Sequence, residues 1–259
     1  MEGSVFAFLF AHPDDEVFIA GTMRLLLDRG AEVHGIWVTD GDFLGQGRVR
    51  MRELAKACSI LGLEESHVHL MNQPDGGIIR NLNQAVDCVA RTLKAIAPEV
   101  VCVTAFEGGH PDHDLTNFLA YEASYRAGIE PQIFEFPLYN GTGPLKHWRW
   151  RINEFPRGGP SVSYTILDDS AICRKYKMMR VYASQWMYMI PARLACTYKK
   201  LQRIGEPYRA CPSDRDHTLR PHPGQLNYER WFCRFLGVRF GEFQAAVKRA
   251  RTRLLVHEV

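Results

Sequence analysis

The first 140 residues alternate between short, continuously apolar runs and longer stretches of helical periodicity. Residues 4–10 (SVFAFLF) form such a run, the pattern of a strand covered on both faces. A helix is predicted over 16–29, ending at Gly30, then a second strand at 33–39 (VHGIWVT) and a helix over 48–61 that stops at Gly62. A strand at 67–71, a helix over 81–97, a strand at 100–104, a helix over 115–127 and a fifth strand at 132–136 complete the series. Strands separated by helices imply βαβ units, a parallel sheet and right-handed crossovers.

After about residue 140 the rhythm changes. The segment NGTGPLKHWRWRINEFPRGGPS (140–161) is rich in Gly, Pro and Trp and reads as a long excursion. One more strand is expected at 162–167 and a helix at 170–187, with 205–228 irregular because of Pro207, Pro212, Pro221 and Pro223. A last helix at 241–255 carries Lys248, Arg249, Arg251 and Arg253, read as a solvated face. The expected fold is α/β, a Rossmann-like three-layer sandwich with a mostly parallel sheet. It forms a single domain over 1–259, with a catalytic core at 1–140 and a C-terminal extension at 141–259 covering the active-site rim.

Composition adds exclusions. The chain of 259 residues is 46% apolar and 24% charged, as soluble globular proteins are, and long enough to bury a core without disulfides. A net charge of +3 gives no electrostatic footprint for nucleic acid. The apolar run near the N-terminus lacks a basic flank and ends in charges after about seven residues, so neither a signal peptide nor a membrane span is expected. Seven cysteines without a CxxC spacing suit a reducing cytoplasm.

Two polar boxes carry the candidate chemistry. Ala11-His12-Pro13-Asp14-Asp15-Glu16 follows the first strand, and Gly108-Gly109-His110-Pro111-Asp112-His113-Asp114 follows the fourth. In an open doubly wound sheet, ligands sit beyond the carboxyl ends of the strands where the order reverses, and strands one and four are neighbours in the commonest order. Either box alone also reads as a turn with an Asp cap. Together they would face one crevice. His12 and Asp15, like His110 and His113, are three positions apart, a spacing that can aim both members one way. Imidazole nitrogen with carboxylate oxygen suits Zn²⁺, three protein ligands leaving a position for water. If Asp15 is a ligand, Asp14 stands where a general base belongs. His34, His67, His69, His147, His217, His222 and His257 lack a matching pattern and read as structural or surface residues. The glycine-rich loop at 41–47 lacks the GxxxxGK[ST] spacing, and the first βα turn lacks GxGxxG, so a nucleotide-dependent transferase is not favoured.

These boxes resemble those of the LmbE/PIG-L-like zinc-dependent N-deacetylases. The resemblance extends through Thr39-Asp40-Gly41-Asp42, Arg50-Met51-Arg52-Glu53-Leu54, Leu61-Gly62, Pro74-Asp75-Gly76 and Lys175 to Tyr182-Ala183-Ser184-Gln185, covering roughly residues 4–185. It implies that His12, Asp15 and His113 bind zinc, or iron(II) or another divalent metal in the cell, and that Asp14 is the general base. His110 would be a protonated acid that stabilises the oxyanion and protonates the leaving amine, oriented by Asp112. Arg50 and Asp75 match substrate-binding positions, and Asp42 is a weaker candidate. The implied activity removes the N-acetyl group from an N-acetylglucosamine-type conjugate, a small-molecule partner. The alternatives are an amidase of the same family acting on a larger acyl group and a non-catalytic sugar- or metal-binding protein. Retention of Asp14 and His110, neither needed merely to hold a metal, speaks against the last. The aromatic segments His147-Trp148-Arg149-Trp150 and 182–188 (YASQWMY) read as a sugar-binding rim or as ordinary core. Substrate identity, homo-oligomerisation and the role of 186–259 stay open at this level.

Overall fold

The computed structural model describes residues 3–143, 150–232 and 236–257. Strands β1 (Val5–Phe10), β2 (Glu32–Thr39), β3 (Val68–Gln73), β4 (Val100–Thr104) and β5 (Gln132–Phe136) run parallel in the order β3-β2-β1-β4-β5. β5 is extended by two antiparallel strands, β9 (Glu206–Ala210) and then β8 (Ser163–Thr165), giving seven strands. A separate two-stranded ribbon pairs β6 (Tyr139–Asn140) with β7 (Arg151–Ile152).

Alternation along β1 shows why its apolar run has no polar face. Ala7 and Leu9 point into one core with α3 (Leu82–Ile96), α4 (Pro111–Ala127) and α7 (Phe240–His257). Phe8 and Phe10 point into the other, against α1 (Ala20–Asp28), α2 (Gly47–Leu61) and α5 (Asp169–Val181). Both phenylalanines are fully buried, each stabilising the fold by about 1.5–3 kcal/mol relative to an exposed ring. β1 lies directly beside β4 (Phe6 opposite Val100, Leu9 opposite Val103), so the chain winds outward from this pair in both directions. The loops after β1 and β4 therefore open one crevice.

Three expectations need correction. α4 begins at Pro111 rather than at 115, because proline is preformed for the first helical position and the His110 side chain caps the helix by accepting from Asp112 N–H. The helix expected at 170–187 ends at Val181, and after a short 3₁₀ turn at Ala183–Gln185 a second helix, α6 (Trp186–Leu201), runs on with Pro191 inside it. Residues 205–228 are not wholly irregular, since β9 lies there and is built on charge. Glu206 accepts from Gly21 N–H, Thr22 N–H and the Thr22 hydroxyl at the start of α1, and pairs with buried Lys175 of α5 at 2.6 Å. Arg209 pairs with buried Glu135 of β5 at 2.7 Å. On α7, Lys248 and Arg249 are exposed as expected, while the side chain of Arg253 lies outside the described residues.

Candidate active site and metal centre

His12 leaves β1 in a tight turn. Asp15 N–H donates to His12 O, and the Asp15 carboxylate accepts from His12 N–H at 2.8 Å, folding the i,i+3 pair onto itself. His113 arrives from the first turn of α4. Its approach requires the two preceding glycines. Gly108 has φ +71°, and a Cβ on Gly109 would lie 2.0 Å from the carbonyl oxygen of Tyr139.

Three donors converge. His12 Nδ1 and His113 Nε2 are 3.1 Å apart, His113 Nε2 is 3.3 Å from Asp15 Oδ1, and His12 Nδ1 is 3.8 Å from Asp15 Oδ2. Ligands about 2.0–2.1 Å from a tetrahedral Zn²⁺ stand about 3.3 Å from one another, so these separations fit the edges of such a site. His110 places a further ring nitrogen within 4.8 Å of those of His12 and His113, and His12 also groups with Asp75 and Asp112.

The surrounding charge favours a cation. The side chains of Asp14, Asp15, Asp75 and Asp112 are all nearly inaccessible, and one guanidinium, that of Arg50, pairs with two of them, Asp14 and Asp75. Burial works against a charge on His12, yet Asp75 with Asp112 and Asp15 outweighs it and raises the imidazole well above its ordinary range. Burial likewise opposes ionisation of Asp15, but His113 and His12 hold it low. Four buried polar atoms here, His12 Nε2, His113 Nδ1, Asp112 Oδ1 and Arg50 Nε, make no well-aligned hydrogen bond. The convergence of His12 Nδ1, His113 Nε2 and the Asp15 carboxylate in this acidic surround fits a divalent metal.

Asp14 stands beside the donors in a left-handed conformation, φ 119°, that a side-chain-bearing residue adopts only when its surroundings impose it. Glu16 imposes it from behind. Its fully buried carboxylate accepts from Asp14 N–H (3.1 Å), Trp37 Nε1 (3.3 Å) and the Tyr182 hydroxyl (2.5 Å). In front, Arg50 Nη2 donates to Pro13 O (2.6 Å) and lies 3.2 Å from Asp14 Oδ1. Burial raises Asp14 to about 8, against the pull of Arg50.

Arg50 and Asp75 come together. Nη1 of Arg50 donates to Asp75 Oδ2 (3.1 Å) and to Gly41 O (3.3 Å), and Asp75 Oδ1 lies 3.1 Å from His12 Nε2. Both side chains are thus engaged in holding Asp14 and His12. Asp112 turns its carboxylate to Gly76 N–H (2.7 Å) and towards His12 Nε2 (3.4 Å), while its main-chain N–H donates to His110 Nδ1 at 3.1 Å. That bond leaves the proton of a neutral His110 ring on Nε2. Burial, and then His12 and His113, lower this imidazole well below its ordinary range. Asp42 stays outside the cluster, exposed, where Oδ1 accepts from Gly47 N–H at 2.6 Å and caps α2.

Glu16, Trp37 and Tyr182 are the positioning residues that spacing alone does not single out, since an acid buried behind a motif looks like any helix-opening acid. Of the aromatic segments, 147–149 lie outside the described residues. Trp150 stacks on Tyr139 with ring centroids 5.2 Å apart, Tyr182 is core, and Trp186 is exposed.

Residues 7–124 match the family described as PIG-L, GlcNAc-PI de-N-acetylase. This segment, 118 of the 259 residues, is where the chain is similar to the PIG-L/LmbE deacetylases. It is 31% identical over 129 residues to the N-acetylglucosaminyl-phosphatidylinositol de-N-acetylase of Bos taurus, covering 48% of this chain and 50% of that protein. To the diacetylchitobiose deacetylase of Thermococcus kodakarensis it is 29% identical over 147 residues, covering 51% and 53%. The chain thus spans about half the length of these curated relatives. The crystal structure of the N,N'-diacetylchitobiose deacetylase from Pyrococcus horikoshii superposes with a TM-score of 0.59 at 21% identity, over 81% of this chain and 84% of that one, and so shares the fold.

Proposed function

We propose that the protein is a divalent-metal-dependent hydrolase that removes the N-acetyl group from an N-acetylglucosamine-type conjugate, yielding a free amine and acetate. The observation that carries this reading is the placement of Asp14. A carboxylate that takes no part in the three-donor convergence is held beside it in a strained conformation by Glu16 and Arg50. A site built only to store a metal needs no such residue. The named activities of the relatives above support the amino-sugar class.

His12, Asp15 and His113 would hold the metal, for which zinc is our assignment from two nitrogens and a carboxylate. When bound, such a metal acidifies water and polarises an amide carbonyl. Asp14 accepts the proton of the attacking water. His110, with its proton on Nε2, donates a hydrogen bond to the carbonyl oxygen as negative charge develops there. A second proton on this ring would set Nδ1–H against Asp112 N–H, so Asp14 returns its proton to the departing nitrogen. The C–N bond breaks, a C–O bond forms, and both protons of the water are accounted for by amine and carboxylic acid. Arg50 and Asp75 keep Asp14 and His12 in place, and Asp112 anchors the Gly76 turn against them.

We further read residues 1–259 as one catalytic unit, because Glu206 and Lys175 lock the extension onto α1. Six free thiols among the described residues support a reducing compartment, the cytoplasm. No helix of the described residues is long and apolar enough to cross a membrane. The test is a panel of N-acetylated amino-sugar conjugates, scored for equal release of acetate and amine by the metal-loaded protein. Release from no member at full metal occupancy would overturn the proposal.

A further inference from the structure

A second group of metal-grade donors lies at the opposite end of the sheet. Glu32 and His34 alternate along β2, and His67 and His69 flank the start of β3. The parallel register sets Gly35 opposite Val68 and Ile36 opposite His69, so all four side chains share one face of the two strands. His34 Nε2 lies 2.8 Å from Glu32 Oε1, and its other nitrogen lies 3.1 Å from His69 Nε2. The His67 ring centroid is 4.2 Å from that of His34. One ligand atom each from Glu32, His34 and His67 falls within 4.8 Å of the others.

We propose that Glu32, His34 and His67 form a second divalent-cation site, with His69 as the residue that orients His34. Two imidazoles and a carboxylate are a zinc-type donor set with room for a water. The His34–His69 contact supplies what a ligating histidine requires, a partner for the ring nitrogen that faces away from the metal. A metal-free hydrogen-bonded relay accounts for Glu32, His34 and His69, but leaves the close approach of His67 without a purpose.

The location suggests what the site does. β3 is an edge strand of the seven-stranded sheet, and its far end leads through Pro74 to Asp75. A cation between β2 and the start of β3 clips that edge about 20 Å, six residues of strand, from the catalytic cluster. It is therefore a structural clamp rather than a participant in hydrolysis.

Zinc alone is the probe. Chelator-stripped protein is dialysed against Zn²⁺ and its metal counted. The wild type should bind two equivalents, and His67→Ala one, with its hydrolytic turnover kept. His113→Ala should keep the equivalent that His67→Ala loses. His69→Ala should weaken the second equivalent by about tenfold or more. Should His67→Ala fail to fold, His67→Gln preserves side-chain size without the imidazole. One equivalent in the wild type that folded His67→Ala or His67→Gln keeps, or two equivalents in either variant, overturns the site. Because metal is counted and not turnover, this outcome is separable from failure of the hydrolase proposal.

Discussion

Ser184 holds the carboxylate of Glu53 with both of its donors. Its N–H reaches Oε1 at 2.9 Å and its hydroxyl reaches Oε2 at 2.5 Å, across 131 positions of sequence. The contact ties α2, which also carries Arg50, to the turn between α5 and α6. Two motif segments that look unrelated along the chain are thus the two halves of one joint.

Replacing Glu53 with alanine strands both Ser184 donors in a partly buried place. We expect Glu53→Ala to lose about 2–3 kcal/mol in urea unfolding, with Glu53→Gln losing less because one acceptor remains. Equal stability of wild type and Glu53→Ala would show that the joint is idle.

The Lys175–Glu206 pair is a second joint, buried on both sides at 2.6 Å. Lys175→Met leaves the Glu206 charge without its cation and should cost about 3–5 kcal/mol. The double variant Lys175→Met/Glu206→Gln should cost clearly less than the two single changes added together. Additive losses in a double-mutant cycle would contradict a coupled pair.

Lys199 gives a pH signature. It is buried and donates to Asn153 O, and burial lowers it to about 8, with Lys175 adding to the effect. In the unfolded chain a lysine holds its proton to about 10.4. Between these values the unfolded state binds more protons, so stability attributable to this residue rises with pH from about 8 to about 10.4. Below 8 the penalty of a buried ammonium is fully present. Lys199→Met should therefore gain stability relative to wild type at pH 7, with the gap closing towards pH 10. A gap that stays constant over this range would contradict the shift.

The sequence disclosed β1 to β5, their alternating helices and the crevice between β1 and β4, because apolar runs and strand-end boxes are local signals. It hid what depends on partners. The start of α4 is masked because Asp112 and His113 face the site and apolar periodicity resumes only at Leu115. β9 reads EPYRA, with no apolar run, since Glu206 and Arg209 are buried against Lys175 and Glu135 rather than against hydrocarbon. α6 is obscured by Pro191 and by the many apolar side chains it leaves exposed, Met187, Ile190 and Leu194 among them. Within the site, spacing made the two boxes with their pairs His12/Asp15 and His110/His113 legible, while the choice of His113 as a donor came from the family resemblance. The engagement of both terminal nitrogens of Arg50 by Asp14, Asp75 and two carbonyls was not legible, because it needs four segments in one place.

The two histidines of the second box should separate on metal analysis. His113→Ala removes one of three converging donors and should lose most of the catalytic-site metal, whereas His110→Ala should keep it and lose turnover by about 10²–10³-fold, as removal of an oxyanion donor does. Metal loss in His110→Ala with retention in His113→Ala would exchange their roles.

The most direct measurement pairs metal content with acetate release in Asp14→Asn. Asparagine keeps the size of the side chain and cannot accept the water's proton. The variant should bind as much catalytic-site metal as wild type and release acetate from an N-acetylglucosamine conjugate about 10²–10⁴-fold more slowly. Wild-type turnover in Asp14→Asn, or loss of its catalytic-site metal, would contradict the assignment of Asp14 as the base.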